Sequence, residues 1–215
     1  MKRLLTILVI INLNSAQAQY QAVQKTMVDA GFLYPGFSDG MVLLKSGQRT
    51  TASLNYNAFE QSIVYYADQK SMTLTNIEDV DTVYLQHNLF IPVGMKFYML
   101  IDYTPLPLVV SYEAKPLHKV ATVDHITSGK QDQNTVFNTV TDVYVNGQVR
   151  EDINYTVVTI YWIKDGEKLY KANNEKQIAH IFGKKTDQVL QYAKEHKTNF
   201  RSMQEVVELV RFAQE

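Results

Sequence analysis

The run Val157-Val158-Thr159-Ile160-Tyr161-Trp162-Ile163-Lys164, followed by Asp165-Gly166 and then Lys168-Leu169-Tyr170, shows the fold class more plainly than any other segment of the chain. Its β-branched and aromatic residues favour a pleated, half-buried strand over a helix. Asp-Gly tolerates positive φ at the central positions of a tight type I′ turn, so the stretch predicts a β-hairpin. Just past Ala172 the pattern changes: β-branched runs stop, proline is absent, and apolar residues fall at helical spacing. A strand-rich body therefore gives way to a helical tail.

Towards the N-terminus the same reading finds more strands. Met41 to Leu44 and Thr51 to Tyr56 flank Lys45-Ser46-Gly47-Gln48, and Ile63 to Tyr66 and Met72 to Thr75 flank Ala67-Asp68-Gln69-Lys70. Both read as hairpins. Thr82 to Gln86, Phe97 to Ile101 and Leu106 to Tyr112 are further strands. Pro105 and Pro107 place the last one at a strand start or a sheet edge, where a missing N–H is tolerated, and the reading favours a boundary of the sheet there. Val143-Tyr144-Val145 before Asn146-Gly147 predicts another hairpin. Ser128 to Asn134 is polar without periodicity and reads as an exposed loop.

In the tail, Ile178, Ile181 and Phe182 share one face ahead of Gly183, which is suited to end a helix. Thr186 is placed to cap a second helix carrying Val189, Tyr192 and Ala193. Ser202 with Glu205 fits a capping box, and Met203, Val206, Val207 and Val210 repeat behind it at helical spacing. The expected fold is α+β: an antiparallel β-sheet, sandwich or partly closed barrel with short C-terminal helices packed on it.

At the other end, Lys2 and Arg3 precede the apolar run Leu4 to Ile11, and Ala16-Gln17-Ala18 follows. This is the layout of a secretory signal peptide, 1–18, cleaved before Gln19. The expected division is then a strand-rich body, 19–172, and a tail, 173–215. The apolar run falls short of the roughly 20 residues that span a bilayer, so no transmembrane segment is expected after cleavage. The protein is expected to be exported, either periplasmic or secreted.

The chain has no cysteine, which removes disulfides, thiolate metal sites and thiol nucleophiles. Losing Lys2 and Arg3 moves the balance from 21 − 22 = −1 to 19 − 22 = −3, which gives no reason to expect nucleic acid as a partner. The basic group Lys184, Lys185, Lys194, Lys197 and Arg201 reads as a solvated helix face.

Five histidines, His87, His118, His125, His180 and His196, show no metal-ligand spacing. Asp124 with His118 and His125 is the one local grouping that could form an acid–base site, although an odd separation puts the two histidines on opposite faces of any regular strand. Glu78-Asp79-Val80-Asp81 lacks the alternation, glycine and distal glutamate of a calcium loop and reads as a solvated connection. There is no nucleophile elbow, phosphate loop or dinucleotide fingerprint. No catalytic residue, metal or cofactor is assigned on these grounds.

Tyrosine is frequent, with 14 residues against one tryptophan. Tyr65 and Tyr66, with Tyr98, Tyr103 and Tyr112, are candidates for a ligand-binding platform, since an aromatic face with a polar tip suits a wet binding surface. Strands are rich in tyrosine anyway, and core and cross-strand packing is the simpler account of them.

The leader ending Ala-Gln-Ala-Gln, the segments Gly40 to Asn57 and Val83 to Val93, and the tail Ile181 to Phe212 together resemble a broad group of exported Bacteroidetes proteins of unassigned function. The resemblance implies an exported, strand-rich body with a helical tail, and brings no catalytic residues. The function expected is a non-catalytic binding or structural module of the cell envelope, with a protein, peptide or glycan as partner. The alternative is a hydrolase whose carboxylate and histidine site is assembled across strands; a purely structural subunit would show an apolar patch or an unpaired sheet edge.

Overall fold

The computed structural model describes residues 31–68, 70–116, 144–145, 148–149 and 155–215. The expected signal peptide and the polar segment Ser128 to Asn134 lie outside them. The chain forms an α+β fold built on one ten-stranded antiparallel sheet. In chain order the strands are β1 (Ser38–Leu44), β2 (Arg49–Asn57), β3 (Ser62–Ala67), β4 (Lys70–Thr73), β5 (Val80–Leu85), β6 (Asn88–Val93), β7 (Lys96–Asp102), β8 (Leu108–Pro116), β9 (Tyr144–Val145), β10 (Gln148–Val149), β11 (Tyr155–Asp165) and β12 (Lys168–Lys171). Across the sheet the order is β12-β11-β8-β7-β6-β5-β1-β2-β3-β4, while β9 and β10 pair with each other in a separate two-stranded sheet among the described residues.

The predicted hairpins form, with two shifts. Ala67 pairs with Lys70, although both read as turn residues. Asp165 pairs with Lys168, so the late turn is Gly166-Glu167 and not Asp165-Gly166. Gly166 has φ +58° while Glu167 is not left-handed, the pattern of a type II′ turn, in which only the first central residue needs positive φ. Strand β6 falls in a segment that the strand pattern leaves unassigned. The expectation that the Pro105–Pro107 segment marks a boundary of the sheet is corrected, because β8 lies between β7 and β11. Its strand-start alternative holds: pairing begins at Leu108, and the Pro107 carbonyl accepts from Lys164 N–H at 2.9 Å.

The sheet curls without closing. The turn between β2 and β3 reaches across to the far strands, where Phe97 N–H donates to Gln61 O (2.8 Å) and Ala114 N–H to Ala58 O (2.9 Å). Tyr56 reinforces this approach, since its fully buried hydroxyl lies 3.3 Å from the carbonyls of both Phe97 and Tyr112 and can donate to either. Inside the curl Leu54, Tyr56, Ile63, Val83, Phe90, Phe97, Val110 and Ile163 form one apolar core.

The helices α1 (Glu175–Ile181), α2 (Thr186–Glu195) and α3 (Met203–Gln214) complete that core. Ile178, Val189, Val206, Leu209 and Val210 are essentially inaccessible and belong to the same cluster as the strand residues. Asn174 caps α1 by accepting from Gln177 N–H at 2.9 Å. Thr186 does not cap α2: it is the first helical residue, and its hydroxyl donates back to Gly183 O at 2.9 Å. Ser202 accepts from Glu205 N–H at 3.4 Å, but the Glu205 carboxylate takes Asn199 N–H instead of closing the box on Ser202. No helix among the described residues is long and apolar enough to cross a membrane.

Candidate functional site

Antiparallel partners project from the same face, so the pairing registers identify which side chains share the surface opposite the helices. Thr51 pairs with Met41, Met41 with Tyr84, Tyr84 with Leu89, Leu89 with Leu100, Leu100 with Val109, and Val109 with Trp162. One row thus crosses seven strands, and apart from Thr51 at its end it is apolar or aromatic. Met41, Leu89 and Leu100 are half-buried and Tyr84 is 39% exposed, so this part of the row is in contact with solvent. At β1 and β2 it borders a shallow depression of about 630 Å³, lined by Met41 and Tyr84 together with the polar groups of Asp39, Thr51, Ser53 and Gln86.

The far end of the row is held rigidly. The Trp162 indole N–H donates to Ser111 Oγ at 3.0 Å, Tyr98 meets the ring edge-on at 6.4 Å between centroids, and Lys171 Nζ lies 5.5 Å from the ring centroid. Burial pushes the Tyr98 phenol above its ordinary value. Near the other edge, Phe37 packs 5.5 Å from Tyr66 and from Phe32. The segment carrying Phe37 is pinned by fully buried Asn55, whose amide donates to Tyr34 O (2.9 Å) and Gly36 O (3.0 Å) and whose oxygen accepts from Tyr34 N–H.

The tyrosines proposed as a platform are not brought together. Tyr65 pairs with Leu54 and packs against the core, whereas Tyr66 pairs with Ser53 on the opposite face and is 46% exposed. Tyr112 is turned inwards with its hydroxyl 3.7 Å from Met99 Sδ, and burial raises its phenol to about 12. Tyr103 is exposed in the β7–β8 connection. Asp124, His118 and His125 lie outside the described residues. His87, His180 and His196 sit on three separate elements, and no group of three or more His, Asp or Glu able to hold a metal ion occurs among the described residues.

A stretch of unpaired sheet edge lies beside β12. Tyr161 turns both backbone groups away from β8, its carbonyl accepting from Ala172 N–H (2.9 Å) and its N–H donating to Asn173 Oδ1 (2.7 Å). Backbone direction alternates along a strand, so Val157 and Thr159 face the same way. β12 covers only Trp162 to Asp165, and among the described residues nothing takes the groups of Val157 and Thr159.

The row across Met41, Tyr84, Leu89 and Leu100 was missed when tyrosines alone were considered. The signal for it was present: Met41 to Leu44, Leu89 to Ile91 and Phe97 to Ile101 are apolar at consecutive positions. A strand with one wet face alternates, so such runs mark a sheet apolar on both faces. Set against known proteins, the chain matches no protein-family model, no curated protein and no solved structure.

Proposed function

We propose that this protein is a non-catalytic binding module of the cell envelope that receives a partner protein on the sheet face opposite its helices. The observation carrying this reading is the solvent-contacting row Met41, Tyr84, Leu89 and Leu100, in register across four adjacent strands. Apolar side chains in contact with solvent along such a row cost solubility unless something covers them, which supports an interaction site on this face. Half-buried Trp162 at one end, held edge-on by buried Tyr98, is a rigid aromatic of the type that dominates interface energetics. Export is supported by the basic residues, apolar run and Ala-Gln-Ala of the leader.

The test is site-directed photo-crosslinking in the native host. A benzoylphenylalanine at Tyr84 should give one discrete product containing a second protein, and the same group at exposed Lys197 on the helical side should give none. Glycan, peptide and ester panels run beside it address the hydrolase. Turnover abolished by Asp124→Ala, His118→Ala or His125→Ala in folded protein would replace the binding reading with the enzyme.

A further inference from the structure

The two ends of the ten-stranded sheet differ. β4, at one end, is four residues long, begins with Lys70 and has every side chain exposed. Shortness and an edge lysine are devices by which natural sheets keep other chains from pairing with them. At the other end β11 carries neither between Tyr155 and Tyr161. That stretch has no charged residue and no proline, and its register against β8 runs without a bulge from Tyr155↔Pro116 to Ile163↔Leu108. The β8 residues beside it, Glu113 opposite Val158 and Lys115 opposite Thr156, have opposite signs.

Val157 and Thr159 turn their N–H and C=O outward here, and nothing among the described residues takes them. Groups that alternate at strand spacing are satisfied together by another extended backbone. The chemistry of the occupant is therefore a peptide in strand conformation, uncharged beside half-buried Val157 and Val158. A second copy of β11 does not fit. The two-fold register in which Val157 and Thr159 satisfy each other sets the Tyr155 of the copy opposite Tyr161, where Ala172 already sits with its N–H on the Tyr161 carbonyl (2.9 Å). The row of the sheet face ends at Trp162 on this same strand, and Thr156 and Val158 project on the side of Trp162. A protein lying along that row reaches the edge without leaving β11.

We propose that the partner protein adds an uncharged extended segment of about five residues to this edge, as one more strand of the sheet. Such a strand extends the contact on the sheet face, and so rests on the reading of that face as a partner surface. Main-chain hydrogen bonds to Val157 and Thr159 hold it, and Ala172 and Asn173 at Tyr161 limit it at one end.

The experiment joins amide exchange in the chain from Gln19 to Glu215 with photo-crosslinking in the native host. In the free chain the amides of Val157 and Thr159 should exchange fast, and those of Val158 and Ile160, which face β8, slowly. Protection of Val157 and Thr159 in the free chain would overturn the proposal. Protection independent of concentration assigns the edge to the chain's own residues, and protection that rises with concentration assigns it to a second copy. Benzoylphenylalanine at exposed Thr156 should capture the same protein as at Tyr84. Thr159→Pro removes an outward N–H and no ladder bond, and should cut both yields about tenfold or more at unchanged melting temperature. Thr159→Val keeps the N–H and should capture as wild type does. Val157→Pro removes the other outward N–H and gives the same reading should Thr159→Pro unfold. Undiminished capture at Tyr84 in a folded proline variant, or no product at Thr156, would refute the added strand and leave the sheet face standing. Capture at Thr156 alone, lost on Thr159→Pro, would keep the edge and remove the sheet face.

Discussion

Arg211 on α3 grips Asp102 on β7 with both ends of its guanidinium, Nε to Oδ2 at 2.8 Å and an Nη to Oδ1 at 2.9 Å, across 109 residues of sequence. The sheet arranges this contact. Register shifts between Leu100 and Asp102, so Asp102 pairs with Leu108 and projects to the helical side. The fork-to-carboxylate geometry is directional as well as charged, and it joins the last helix to a central strand.

The Arg211 hydrogen bonds hold the Asp102 carboxyl below its ordinary value of 3.8. A carboxylate depressed in the folded state stabilises fully above the unfolded pKa and loses that contribution as pH falls through the lower folded value. Asp102→Asn should therefore melt a few degrees below wild type at pH 7, and the gap should close as pH is lowered past 4 towards the folded pKa. A gap that stays constant over that range would show the pair to be unimportant.

Helix α3 is part of the core, and its substitutions should say so. Leu209 is wholly inaccessible, so Leu209→Ala should cost about 2–5 kcal/mol by removing buried surface and leaving a cavity. Exposed Glu208→Ala on the same helix should stay within about 0.5 kcal/mol. Chemical denaturation of the two variants measures both.

Much of this architecture was legible in the chain. The hairpins flanking Lys45 to Gln48 and Ala67 to Lys70 follow from short β-rich runs separated by turn residues, and α3 follows from Val206 and Val210 at helical spacing behind Ser202. Strand order was not legible, because local pattern carries no information on which hairpins become neighbours. That is why Pro105 and Pro107 suggested a sheet boundary where β8 runs through the interior. Tyr65 and Tyr66 looked like one surface although a strand sends adjacent residues to opposite faces. The apolar row was hidden for the opposite reason: Met41, Tyr84, Leu89 and Leu100 are scattered in sequence and meet only through register.

Proline scanning should map the free edge of β11. Thr159 N–H faces away from β8, so Thr159→Pro removes no ladder bond and should leave the fold standing. Val158 N–H faces β8, so Val158→Pro should unfold or severely destabilise the protein, by about 3 kcal/mol or more in keeping with the cost of proline inside regular structure. Circular dichroism melts of the pair would contradict the assigned direction if the order were reversed.

Gly40 shows how closely β1 lies on its neighbours. A Cβ there would come within 2.7 Å of both Leu54 Cδ1 and the Tyr84 carbonyl oxygen. Gly40→Ala should destabilise by about 1–3 kcal/mol through overpacking, even though alanine carries no polar cost. Melting curves for this variant should show a clear loss.

The affinity of the crosslinked partner for sheet-face variants tests the binding account most directly. With the partner purified, Leu89→Glu and Leu100→Glu should each weaken binding by about 30-fold or more, as expected when a charge enters an interface hot spot, with melting temperature monitored to confirm folding. Lys197→Glu, on the helical side, should leave affinity unchanged. Wild-type affinity in both folded leucine variants, with loss in Lys197→Glu, would contradict the account and move the binding surface to the helices.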